Sequence, residues 1–115
     1  MQPTDPRYAS LVRTLAETLM RTPGDTPSEL RRAVEARAAG RDSAELTRLP
    51  AVLEPYVDKV GRHAYRVVDA DIEALKAAGY SEDAIFEITL STAVGAGLAR
   101  LERGLAALRG ERGAN

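Results

Sequence analysis

The chain contains no cysteine, no tryptophan and a single phenylalanine, Phe86. Without cysteine there can be no disulfide, no thiolate nucleophile and no sulfur ligand for a metal. With aromatics at 4% of residues, a core has to be built from Ala, Leu and Val through close approach of helices. Neither sign of charge dominates: the net charge is −1 and the pI about 5.9. That balance argues against an extended nucleic-acid footprint, which needs clustered Lys and Arg. No run of 18 apolar residues is present, so no membrane span is expected. The first residues, Met1-Gln-Pro-Thr-Asp-Pro6, lack the basic and apolar regions of a signal peptide, and a cytoplasmic location is the expectation. There is no phosphate loop, nucleophile elbow or dinucleotide fingerprint. Gly95-Ala96-Gly97 falls inside a helical pattern instead of a strand-to-helix turn.

What is present favours helix. Ala, Leu, Arg and Glu are abundant, and 115 residues suit one domain spanning the chain. Asp5-Pro6 can open a first helix, on which Tyr8, Leu11, Val12, Leu15 and Leu19 share one face. Thr26-Pro27-Ser28-Glu29 has the form of a capping box for a second helix. Leu30, Ala33, Val34 and Ala38 form its apolar stripe, Arg31, Arg32 and Arg37 its wet face, and Gly40 its end. Residues 41–49 are polar and punctuated, with Leu46 and Leu49 as anchors. From Pro50 the pattern predicts a short turn, then a helix starting near Pro55 because proline interrupts the run. Asp69 or Asp71 caps a further helix that stops at Gly79.

The last and longest helix, about residues 82–109, starts at Ser81 with Glu82 and Asp83 in its first turn. Leu90, Val94, Leu98, Leu101, Leu105 and Leu108 recur at spacings of three or four as a seam. Gly95 and Gly97 sit inside this helix, at a cost of about 1 kcal/mol each relative to Ala. A second backbone packed closely there, from this chain or another copy, offsets that cost; so does a ligand against the bare helix. The seam, on a chain too small to cover all its stripes, predicts a homo-oligomer.

The stretch from Tyr56 to Glu87 resembles the core of the carboxymuconolactone decarboxylase and alkylhydroperoxidase-D-like family. The shared element is Leu75-Lys76-Ala77-Ala78-Gly79, a Ser-capped start, then Ile85-Phe86-Glu87 opening a helix rich in small residues. The likeness covers about residues 50–108, with residues 1–49 as added N-terminal helices. It implies an all-α, alkylhydroperoxidase-D-like bundle of about five or six helices that assembles as trimers or hexamers. In the redox branch of that family a Cys-x-x-Cys pair and a histidine precede the helix ending in this glycine. Here those positions hold Ala64, Val67 and Asp71. Peroxidase chemistry does not carry over, since neither Ala nor Val forms a thiolate.

Cofactor-independent decarboxylase or lactone-handling chemistry on a small organic acid remains open on that scaffold. His63, the only histidine, is the candidate acid or base, with Asp71, Asp69 or Glu54 to orient it. Arg62 and Arg66, one turn apart if on one helix, could hold a substrate carboxylate, and Tyr65 could place a hydroxyl beside them. Ion pairs with Asp58, Asp69 or Asp71 explain the arginines equally, and a backbone or carboxylate hydrogen bond explains His63. No cofactor is expected. No metal is expected either, because the close pair Asp69 and Asp71 lacks a neighbouring histidine or cysteine and helix capping takes one of them. The other class of function is a non-catalytic protein that keeps the scaffold for oligomerisation or partner binding.

Overall fold

The seam at Gly95 is the joint on which the bundle is built. In the computed structural model, which describes residues 6–41 and 48–110, five α-helices and one 3-10 turn follow in order. They are α1 (Pro6–Arg21), α2 (Ser28–Ala38), α3 (Leu53–His63), the turn Ala64–Arg66, α4 (Asp69–Ala77) and α5 (Glu82–Leu108). Helix α5 packs chiefly along α2 and α3. A Cβ at position 95 would lie 2.9 Å from the carbonyl carbon of Glu35 and closer still to its oxygen. The backbones of α2 and α5 therefore cross in contact, and Gly95 has its cost offset within the chain. The expectation of an all-α bundle of about five or six helices is met, with five α-helices among the described residues. Asp5, Leu46, the side chain of Tyr8 and residues 111–115 lie outside the described residues.

The core joins Val34 of α2, Leu53, Tyr56 and Val57 of α3, Leu75 of α4, Ile85 and Ile88 of α5, and Leu49. Tyr56 is buried, and its hydroxyl lies 2.6 Å from that of Thr89. Because the Thr89 hydroxyl donates its proton to the Ile85 carbonyl at 2.7 Å, Tyr56 is the donor of the pair. Its polar tip is thus satisfied inside the core, by Thr89.

Helix ends follow local chemistry. Gly40 and Gly79 adopt positive φ, 77° and 103°, and Arg41 N–H and Tyr80 N–H donate back to the carbonyls of Ala36 and Leu75. These are glycine-terminated helix stops of the kind only a residue without Cβ accepts readily. Ser81 accepts a hydrogen bond from Ala84 N–H at 3.0 Å and opens α5. Helix α3 begins at Leu53, two residues before the expected start, because a proline in the first turn removes no intrahelical hydrogen bond.

Two expectations fail for one reason. Thr26 does not cap α2, whose N-cap is Pro27 without a side-chain bond. Instead its hydroxyl and N–H donate to Glu87 Oε1 at 2.6 and 2.8 Å, and Asp25 N–H donates to Oε2 at 2.8 Å. Gly24 leaves the room: a Cβ there would meet the Glu87 carboxylate at 2.5 Å. Arg31, expected on the wet face, is 4% exposed and lies in the field of Glu87. A carboxylate on α5 thus ties the α1–α2 connection to the bundle and draws a cation in after it.

Candidate functional site

The residues proposed for chemistry sit where α3 ends. His63 is the last residue of α3, with φ −143° and ψ 55° at the break. Arg66 is therefore not on the same helix as Arg62, and the one-turn pairing of the two arginines does not form. His63 and Tyr65 are exposed and meet ring edge to face, centroids 5.9 Å apart. The Arg66 guanidinium lies 5.6 Å from the Tyr65 ring centre. Tyr65 is 78% exposed, so it neither packs nor faces an enclosed site.

Asp71 is committed elsewhere. Its carboxylate accepts from Lys59 Nζ at 2.9 and 3.1 Å and from the Val68 N–H at 2.9 Å. The backbone N–H of Val68 and then the Lys59 ammonium hold its pKa below the ordinary 3.8. The role is structural: Asp71 closes the first turn of α4 and pins it to α3. Asp69 is the exposed first residue of the same helix. Ala64 and Val67 belong to the 3-10 turn and the extended link after it, ahead of α4.

Of the residues proposed for chemistry, Arg62 lines a cleft. Helices α2, α3 and α5 bound a cleft of about 220 Å³ whose rim carries Arg37, Arg62, Arg100, Arg103 and Asp58. His63, Tyr65, Arg66 and Asp71 are not among its walls. Asp58 is gripped by Arg37 through Nε and Nη2, both at 2.9 Å, and Arg37 reaches Glu54 at 3.3 Å. The Arg37 guanidinium, with help from Arg62, holds the Asp58 carboxyl below its ordinary range. Arg100 Nη2 donates to the Gly61 carbonyl at 2.8 Å. Arg100 and Arg103 carried no signal in the sequence, since arginines are spread along every helix; only the crossing of three helices brings them to one cleft.

A second concavity is apolar. Val12, Leu15, Ala16 and Leu19 of α1 face Ala93, Val94, Gly97, Leu98 and Leu101 of α5 across an open groove of about 410 Å³. The expected apolar face of α1 is thus only partly covered, with Leu11 56% and Leu15 62% exposed. On α5, Phe86 is 64%, Leu101 41% and Leu108 66% exposed. Among the described residues a Cβ at Gly97 or Gly104 would meet nothing within 4 Å beyond its own helix. By length and composition α5 is able to cross a membrane, but its N-terminal half is a core helix, with Ile85, Ile88, Ser91 and Thr92 buried.

Compared with protein-family models, with curated proteins and with solved structures, the chain finds no match in any of the three.

Proposed function

We propose that this chain is a non-catalytic helical protein that works by self-association, two copies meeting through the open face of α5 flanked by α1. The observation that carries the proposal is an apolar stripe along α5 that the described residues leave open or only partly covered. At 3.6 residues per turn, Phe86, Leu90, Ala93, Gly97, Leu101, Gly104 and Leu108 fall within about 40° of one line, about 33 Å long. Exposed apolar surface of this extent marks an interaction site. Gly97 and Gly104 weaken the helix without being used inside it, and a partner helix in close approach supplies their use.

The order of residues favours a second copy running antiparallel. Centred on Gly97, an antiparallel pair sets Leu90 opposite Gly104 and Ala93 opposite Leu101, so that in these inner pairs a large side chain faces a small one. Gly97 meets its own symmetry mate, where backbones come closest, and Phe86 faces Leu108 at each end. Acidic Glu82 and Asp83 at the start of one helix approach Arg109 at the end of the other, with opposed helix dipoles adding to the match. Leu11 and Leu15 of both copies then close over the sides. A hexamer can contain such pairs; a trimer cannot.

Because the chain has no cysteine, a single Gly97→Cys substitution tests the pairing directly. Mild oxidation is expected to yield a covalent dimer, while Glu73→Cys on exposed α4 forms no cross-link. Size exclusion with light scattering is expected to show at least a dimer at micromolar concentration, and a monomer for Leu101→Lys. A monomeric native chain, or one that floats with lipid vesicles instead of pairing, overturns the proposal.

The second reading, chemistry on a small organic acid on the carboxymuconolactone decarboxylase-like scaffold, has one observation in its favour, the place of Arg62 in the cleft. The two groups proposed to move protons, His63 and Asp71, do not line that cleft with it.

A further inference from the structure

We propose that the cleft between α2, α3 and α5 binds a small dianion with charged oxygens, with Arg62, Arg100 and Arg103 as its ligands. This inference is independent of self-association, since the cleft opens on a different side of α5 from the Gly97 stripe.

The argument begins with charge. Four guanidiniums border the cleft, and counting both Asp58 and Glu54 against them, two positive charges are left over among the described residues. The whole chain carries −1, so this is a local excess and not a reflection of overall composition. The two carboxylates are both held by Arg37, which leaves Arg62, Arg100 and Arg103 facing the cleft. Arg100 and Arg103 are one turn apart on α5, where like charges repel. A dianion offsets both the excess and the repulsion.

Geometry supports the same ligand. Arg100 is held in place by its bond to the Gly61 carbonyl. A carbonyl is a neutral acceptor, so the positive charge stays, and one of five N–H donors is used. Among the described residues neither Arg62 nor Arg103 donates a hydrogen bond, and both are exposed on the rim. Guanidinium forks match the paired oxygens of carboxylate and phosphate. The floor is made of small residues, among them Gly61, Ala96 and Ala99, which leaves about 220 Å³ open above it. That is below the range of drug-sized pockets and suits inorganic phosphate or a four-carbon dicarboxylate. The carbonyl ends of α2 and α3 also border the space, and their dipoles disfavour an anion; the arginines have to outweigh them, and a dianion gains from that where a monoanion gains little.

The test is calorimetric titration of the full chain with inorganic phosphate, succinate and acetate at matched ionic strength. Saturable one-to-one binding is expected for phosphate or succinate, at least tenfold tighter than for acetate, and the tighter of the two identifies the ligand's chemistry. Arg62→Gln and Arg103→Gln are each expected to weaken binding about tenfold, and the double variant to abolish it. Both side chains are exposed, so the thermal melt serves as a check that the variants fold. Equal, unsaturated heats for all three acids, or binding unchanged in the folded double variant, overturn the proposal.

Discussion

The carbonyl group of Glu35 on α2 occupies the space that the Cβ of any residue other than glycine would take at position 95 on α5. Both partners are main chain near the middle of packed helices, so neither can swing away. Gly95→Ala gains about 1 kcal/mol of helix propensity but forces two backbones apart. The net loss is expected to be at least about 2 kcal/mol, measured as a lower urea midpoint.

Gly97, two residues on, separates folding from assembly. Among the described residues nothing beyond its own helix lies within 4 Å of its missing Cβ, so Gly97→Leu is expected to leave the urea midpoint of dilute protein unchanged or raised. The same variant is expected to dissociate the pair proposed above, read by sedimentation at micromolar concentration. A large loss of stability in dilute protein would show that position 97 is packed within the protomer.

Glu87 offers a pH signature. Burial raises its pKa, but the Thr26 hydroxyl and the N–H groups of Asp25 and Thr26 outweigh this and hold it below the ordinary 4.5. A depressed carboxyl contributes stability above its unfolded value, and that contribution is lost as pH falls through the folded value. Glu87→Gln is therefore expected to cost about 2 kcal/mol at neutral pH. The gap between wild type and variant should narrow as melts are taken from about pH 5 to about pH 3. A gap that stays constant across that window would exclude the carboxylate as its source.

Ile88 is fully buried at the centre of the shared core. Truncation to Ala leaves a cavity that helices held by backbone contact cannot close, and the expected loss is about 3 to 4 kcal/mol. Differential scanning calorimetry would register it as a lower melting temperature with unchanged assembly at low temperature.

His63 and Asp71, proposed together from the sequence, are expected to part company. His63→Ala should leave melting and assembly unchanged, since the ring is exposed and meets the Tyr65 ring in a T-shaped contact at the surface. Asp71→Asn should lower the melting temperature, because it removes the Lys59 ion pair and weakens the first turn of α4.

The five helices were legible because their signals are local. Ser81, Gly40 and Gly79 act within one turn of backbone, and the apolar spacing of α3 and α5 is a property of consecutive residues. The seam of leucines and the internal glycines were visible too, and helix propensity called for a close backbone or a ligand to offset the glycines. Which neighbour met that need was not visible, because α2 lies some sixty residues away along the chain.

Tertiary structure decided the rest. It assigned Gly95 to the α2 contact and left Gly97 uncovered, a distinction that two equivalent glycines in one helix cannot carry by themselves. It turned Thr26 from a helix cap into a ligand of Glu87 and buried Arg31. It ended α3 at His63, so that Arg62 and Arg66 diverged, and it gathered Arg37, Arg62, Arg100 and Arg103 from three helices into one cleft. The physical reason is the same in each case. The absence of cysteine and the helical periodicity constrain chemistry and local shape residue by residue, whereas the position of a long polar side chain depends on which helices cross beside it, and that is settled only when the core packs.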